Sequence, residues 1–150
     1  MQNDTLNFWE DFKSRRNEFA NLFLPKIYHF CNDKVNTNLC AQLTVDGIKT
    51  ATCSAKILYD FEREALPKIG DVNIITNWKK EPICVIQITK VELKKFEEID
   101  EAWAIKEGEG DFSLSFWKIG HEKIFRTALK EYGLEFQTDL LLVCEEFEKL

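Results

Sequence analysis

The run GDVNIITNWKKEPICVIQITKVEL, residues 70–93, holds two β-branched stretches joined by a polar KKEP. Valine, isoleucine and threonine suit a pleated, half-buried surface, and a charged break ending in proline suits a reversal. The spacing predicts an antiparallel hairpin in the middle of the chain. TDLLLVCEEF (138–147) predicts a further strand near the C-terminus, while ATCSAKILYDF (51–61) reads equally as strand or irregular chain. The remaining segments have a helical period, and helices bracketing non-local strands suggest an α+β fold.

TLNFWEDFKSRRNEFANLFLP (5–25) predicts an amphipathic helix with Leu6, Trp9, Phe12, Phe19, Leu22 and Phe23 on one side and Pro25 past its end. NTNLCAQLTV (36–45) predicts a short helix with Leu39, Cys40 and Leu43 inward and Gly47 as its left-handed stop. FEEIDEAWAIKEGEGD (96–111) gives a short helix that dissolves into a glycine-broken acidic loop. SLSFWKIGHEKIFRTALKEYG (113–133) puts Leu114, Trp117, His121, Ile124, Phe125, Ala128 and Leu129 on one stripe. No repeat, low-complexity tract or linker divides the chain. The expectation is one α+β domain over 1–150, a small curved sheet or barrel flanked by helices. Residues 1–36 would form an N-terminal helical extension and 37–150 the barrel core.

With 45% apolar and 31% charged residues, 150 residues can build a real core. A net charge of −6 argues against binding long duplex DNA, which needs many lysine and arginine contacts to phosphate. Any nucleic-acid contact is then a local patch or a single-nucleotide pocket. Cys31, Cys40, Cys53, Cys84 and Cys144 are dispersed, with no CxxC pair, which fits buried reduced thiols and a cytoplasmic protein. No leader-like N-terminus or membrane-length apolar run occurs. No Walker loop, GxGxxG or GxSxG is present. No metal or cofactor is implied, and nothing sets an oligomeric state.

The stretch TVDGIKTATCS (44–54) is the first candidate site. Lys49 near a helix end is favoured there by the helix dipole alone. In a regular strand Lys49 and Thr52 would face opposite sides, so they converge only if the chain turns or bulges after Gly47. Thr50 and Ser54 would then add hydrogen-bond donors, and a neutral Lys49 could deprotonate Thr52. The EGEGD loop offers Glu107, Glu109 and Asp111, either as a solvated turn or as a carboxylate folded back on Lys49. As a calcium loop it fails, since the required turn glycine is Phe112 and the terminal glutamate is Lys118. His121 on its apolar stripe reads as a core histidine. Trp78, at a strand end, could stack on a base or pack over the rim.

Taken in order, GIKTAT, LPKIGD, PICVIQITKVELKKF, AIKEGEGDFSLSFWKIGHEKIF and VCEEF resemble the ASCH family, most closely from Leu39 to Phe147. The resemblance implies a small β-barrel related to the PUA domain, with RNA or a nucleoside or nucleotide as ligand. Some members are hydrolases: one bacterial branch deacetylates N-acetylated cytidine, and ribonuclease activity has been ascribed to another. The family's GxKxxT motif falls on Gly47, Lys49 and Thr52. By similarity to the amidohydrolase branch, Lys49 and Thr52 with Glu107 would form the catalytic set, with Glu109 as the alternative carboxylate. Gly47, Thr50, Ser54, Trp78, Glu109 and His121 would complete the ligand site. The alternative implied function is a non-catalytic RNA- or nucleotide-binding module. Related longer members carry Phe-Gly-Asp where this chain has HFCND, so the backbone between Phe30 and Asp33 is expected to differ.

Overall fold

The computed structural model describes residues 2–150, with Gln2 described by its backbone alone. The predicted hairpin forms as β3 (Val72–Thr76) and β4 (Pro82–Lys95). C-terminal β5 (Leu141–Lys149) pairs antiparallel with the far half of β4, and a bulge between Ile88 and Lys90 lets that long strand serve both partners. The ambiguous segment 51–61 splits into β2 (Ala51–Ala55), antiparallel to β5, and α3 (Lys56–Glu62). β1 (Lys26–Tyr28) runs parallel to β3, so part of the segment 1–36 is a sheet strand. The sheet order is β1-β3-β4-β5-β2, a curled half-barrel with β1 and β2 at its open edges.

The side-chain alternation assigns each sheet face a cover. Ile74 and Val85 pack with Trp9, Phe12 and Phe19, placing α1 (Gln2–Arg15) over the β3–β4 hairpin. Leu142 and Cys144 look the same way and meet α4 (Glu101–Glu107) and α5 (Leu114–Lys130) through Trp103, Trp117, Phe125 and Leu129. Ile75, Ile86, Ile88 and Phe147 point to the opposite face and pack on Cys40 and Ala41 of α2 (Lys34–Val45).

The helices differ from the sequence pattern in two places. α1 stops at Arg15, and a short 3-10 turn brings Phe19 back to the core. Leu22 and Phe23 therefore leave the apolar side, and Phe23 is 93% exposed. On α2 the inward residues are Thr37, Cys40, Ala41 and Thr44, while Leu39 is exposed. Thr37 and Thr44 fit inside because their hydroxyls donate to the Phe30 and Cys40 carbonyls. No helix among the described residues is long and apolar enough to cross a membrane.

Candidate functional site

Gly47 has φ +73 just beyond the end of α2, the left-handed conformation that glycine adopts without penalty. The amides of Ile48 and Lys49 both donate back to the Leu43 carbonyl, which fixes the exit of the helix. The chain then runs alongside α4: the Thr50 amide and hydroxyl both donate to the Lys106 carbonyl, at 2.8 and 3.2 Å. Gly108 permits this approach, since a Cβ there would lie 2.6 Å from the Ile48 carbonyl oxygen. Thr50 and Gly47 thus set the backbone path and carry the side chain between them into the interior.

That side chain is Lys49, 2% exposed. Its ammonium donates to the Ala51 carbonyl at 2.9 Å, to Glu109 at 3.2 Å and to Glu107 Oε1 at 3.4 Å, and lies 5.0 Å from the Phe30 ring centre. Burial alone would neutralise it, but the Glu107 and Glu109 carboxylates more than offset that and push its pKa up. Glu107, equally buried, is enclosed by donors. Its Oε2 accepts from Trp103 Nε1 at 2.8 Å, from Trp117 Nε1 and from the Cys53 thiol. Its Oε1 faces Lys49 and, at 3.4 Å, His121 Nε2. Burial opposes its ionisation, yet His121 and Lys49, with hydrogen bonds from His121 and Trp117, hold it at about 2.

His121 stacks on Trp117 with ring centres 4.1 Å apart, and its Nδ1 donates to the Trp117 carbonyl at 2.9 Å. Burial lowers its pKa, but Glu107, Glu109 and the hydrogen bond to the Trp117 carbonyl together raise it above the ordinary value. Its Nε2 therefore borders the Lys49–Glu107 cluster while its ring packs on Trp117. Glu109 Oε1 accepts from the Cys40 thiol, which lies 3.5 Å from that of Cys31. Within HFCND, Cys31 sits at φ +62 directly after Phe30, and Asp33 caps α2 through the Asn36 amide. Two sets, Cys53–Glu107–His121 and Cys31–Cys40–Glu109, have metal-ligand atoms close together. Each shares its carboxylate with the Lys49 ammonium, whose charge opposes a cation at either.

Thr52 is placed elsewhere. It lies across from Glu145 in the β2–β5 ladder, while Cys53 on the other face reaches Glu107. No hydrogen bond joins Thr52 to Lys49 or Glu107 among the described residues. Thr52 and Ser54 instead line a cavity of about 690 Å³ where the half-barrel is open, bounded by β1, β2, α3 and the chain from Glu62 to Asn73. Tyr28, His29, Phe30 and Tyr59 give it aromatic walls, and Ser54 Oγ lies 2.8 Å from the Tyr59 hydroxyl. A smaller cavity of about 340 Å³, lined by Glu109, Trp117 and His121, flanks the ion-pair cluster, and Cys31 borders both. Trp78 lines neither: it sits on the hairpin turn, its ring 5.8 Å from His29.

Sequence reasoning missed Glu145, Tyr28 and Tyr59, and also the two tryptophans that hold Glu107. The trace of Glu145 is its place between Val143 and Phe147, both inward on an alternating strand.

A curled five-stranded half-barrel with helices on both faces, holding a buried lysine–glutamate pair at one edge strand, defines a compact α+β domain class. The ASCH domain family model matches residues 26–150, and the chain belongs to that family. An ASCH domain from Lactobacillus crispatus JV V101 superposes with TM-score 0.93 at 36% identity, over 99% of this chain and 95% of that one. The protein EF3133 from Enterococcus faecalis V583 gives 0.92 at 34% identity, over 100% of this chain and 90% of that one. No curated protein matches.

Proposed function

We propose that this ASCH domain is a non-catalytic binding module that takes a nucleoside in the cavity lined by Thr52, Ser54, Tyr28 and Tyr59. The observation that carries the reading is the state of Lys49. Its ammonium is enclosed by Ala51, Glu107 and Glu109, and its pKa is pushed up. It offers no neutral amine, and Thr52, the nucleophile it would activate, opens into the cavity on the other face of β2.

The cavity volume lies in the range of small-ligand pockets, and its mixture of hydroxyls and aromatic rings suits a sugar and a base. Its charged lining is acidic, with Glu62, Glu64, Asp71 and Glu145 against Lys26, which favours an uncharged nucleoside over a phosphate. The test is calorimetric titration of the full chain with nucleosides, nucleoside monophosphates and a short single-stranded RNA, alongside chromatography of samples held with N-acetylated cytidine. Nucleoside binding that Thr52→Val weakens, with no cytidine released, is the expected result. Release of cytidine by the parent and not by Lys49→Ala would replace the binding reading with a hydrolytic one.

A further inference from the structure

The charged groups of the large cavity are all paired except one. Lys26 bonds Glu64 at 2.8 Å, Glu62 accepts from the Tyr132 hydroxyl, and Asp71 accepts from the Lys68 amide. Glu145 lines the same cavity at 7% exposure, and among the described residues no hydrogen bond or ion pair reaches its carboxylate. Its oxygens are not fully enclosed and open into the cavity, so a largely desolvated acceptor without a protein partner is presented to whatever enters there.

An ionised carboxylate only accepts, through two oxygens side by side, so its complement is a pair of adjacent N–H donors. Among the common bases, guanine alone presents a ring N–H and an amino group together on its pairing edge. Adenine and cytosine set a bare ring nitrogen beside the amino group, and uracil flanks its N–H with carbonyls. Bases read on that edge are commonly stacked on aromatic side chains, and Tyr28 and Tyr59 stand in the same cavity. We propose that Glu145 is the recognition group of this cavity and selects guanine, pairing through both oxygens with the ring N–H and the exocyclic amine.

The proposal rests on the nucleoside reading above and adds the base. Burial pushes the Glu145 pKa up to about 7, with Lys26 lowering and Asp71 raising it. Tyr28 on β1, His29 and Cys31 just after it, Cys53 on β2, Tyr59 and Glu62 on α3, and Glu64 beyond it are the other titratable groups of the lining. Because guanine pairs with the ionised form, affinity should fall by up to about tenfold per pH unit below that value and level off above it.

Calorimetric titration of the full chain with guanosine, inosine, cytidine and a guanine-containing tetranucleotide, at pH 6 and pH 8, tests this. Guanosine should bind roughly 10- to 100-fold more tightly than inosine, which lacks the amino group. Glu145→Gln should remove that preference and the pH dependence while still binding nucleosides. Tetranucleotide binding that also depends on Glu145 would support the same chemistry with RNA as the source of the base. Equal affinity for guanosine, inosine and cytidine, or a preference surviving in Glu145→Gln, overturns the guanine assignment and leaves the nucleoside reading standing. No binding of any nucleoside by the parent overturns both.

Discussion

Replacing Glu145 with glutamine should make the protein more stable, and by an amount that depends on pH. In the fold this carboxyl is pushed up to about 7 by burial, against an ordinary 4.5. Below pH 4.5 it is protonated in both folded and unfolded chains and contributes nothing. Between these values the unfolded chain ionises while the fold does not, so stability drains away as pH rises. Above 7 the full penalty is present, about 3 kcal/mol at pH 8, and at pH 5 it is under about 1 kcal/mol. Glutamine has nearly the same shape and no charge, so Glu145→Gln should recover most of that difference.

For a chain of this length the gain corresponds to a Tm rise of roughly 6–12 °C at pH 8. Urea denaturation of parent and variant at pH 5, 6.5 and 8, followed by tryptophan emission, measures it. Taking the difference between the two proteins cancels the contribution of His121, whose raised pKa also makes stability fall as pH rises. A stability gain that is the same at every pH, or a loss at pH 8, would refute the reasoning by showing that the ionised carboxyl is already satisfied in the fold.

Lys49→Ala should cost about 3–5 kcal/mol in urea denaturation at pH 7, because Glu107 and Glu109 lose the cation between them; an unchanged midpoint would mean the pair contributes nothing to the fold. Gly108→Ala should destabilise by more than about 2 kcal/mol, since it adds a clash 2.6 Å from the Ile48 carbonyl to a left-handed φ. Gly47→Ala, with open space around the new Cβ, should cost only about 1 kcal/mol, and equal losses at the two sites would remove the close-approach argument. Cys31, half-buried and lowered in pKa chiefly by its contact with Cys40, should be the first thiol alkylated by iodoacetamide. Cys53 or Cys84, both raised by burial, reacting first in a peptide map would contradict this.

The hairpin, the C-terminal strand and the helices α1, α2, α4 and α5 were legible because their periods are clean, whereas α3 lay hidden in the segment 51–61 that reads as strand or irregular chain. β3 and β4 repeat β-branched residues at the strand spacing, and α5 keeps Trp117, Phe125 and Leu129 on one face. β1 was not legible: three residues, KIY, carry no period and become a strand only through parallel pairing with β3. The end of α1 was hidden because Phe19 still falls on the helical stripe, although the chain reaches that place through a 3-10 turn. That a carboxylate of the acidic loop could fold back on Lys49 was legible from the residues; the choice of Glu107 came from the family resemblance, and Glu109 pairs with Lys49 as well. The donors around Glu107 come from positions 53, 103, 117 and 121, and their convergence is a property of the packing of α4 and α5 on β2.

The Gly47–Lys49–Thr52 spacing divides two jobs between the faces of one strand. The turn at Gly47 releases Lys49 before β2 begins at Ala51, so Lys49 folds toward α4 and closes an ion-pair cluster. Within β2 the alternation is strict, and Thr52 faces across the ladder toward Glu145 while Cys53 faces Glu107. The cluster therefore anchors the start of the edge strand, and the next residues of that strand form the cavity wall. Loosening Lys49 would move Thr52 and Ser54 without touching either. A loss of ligand binding in Lys49→Ala is consequently expected even for a lysine that never meets the ligand. The discriminating measurement is Glu109→Gln, which removes one carboxylate facing the ammonium while Glu107 remains. If Lys49 acts by holding the strand, that variant should weaken nucleoside binding and stability together; if Lys49 contacts the ligand, binding should change while stability holds.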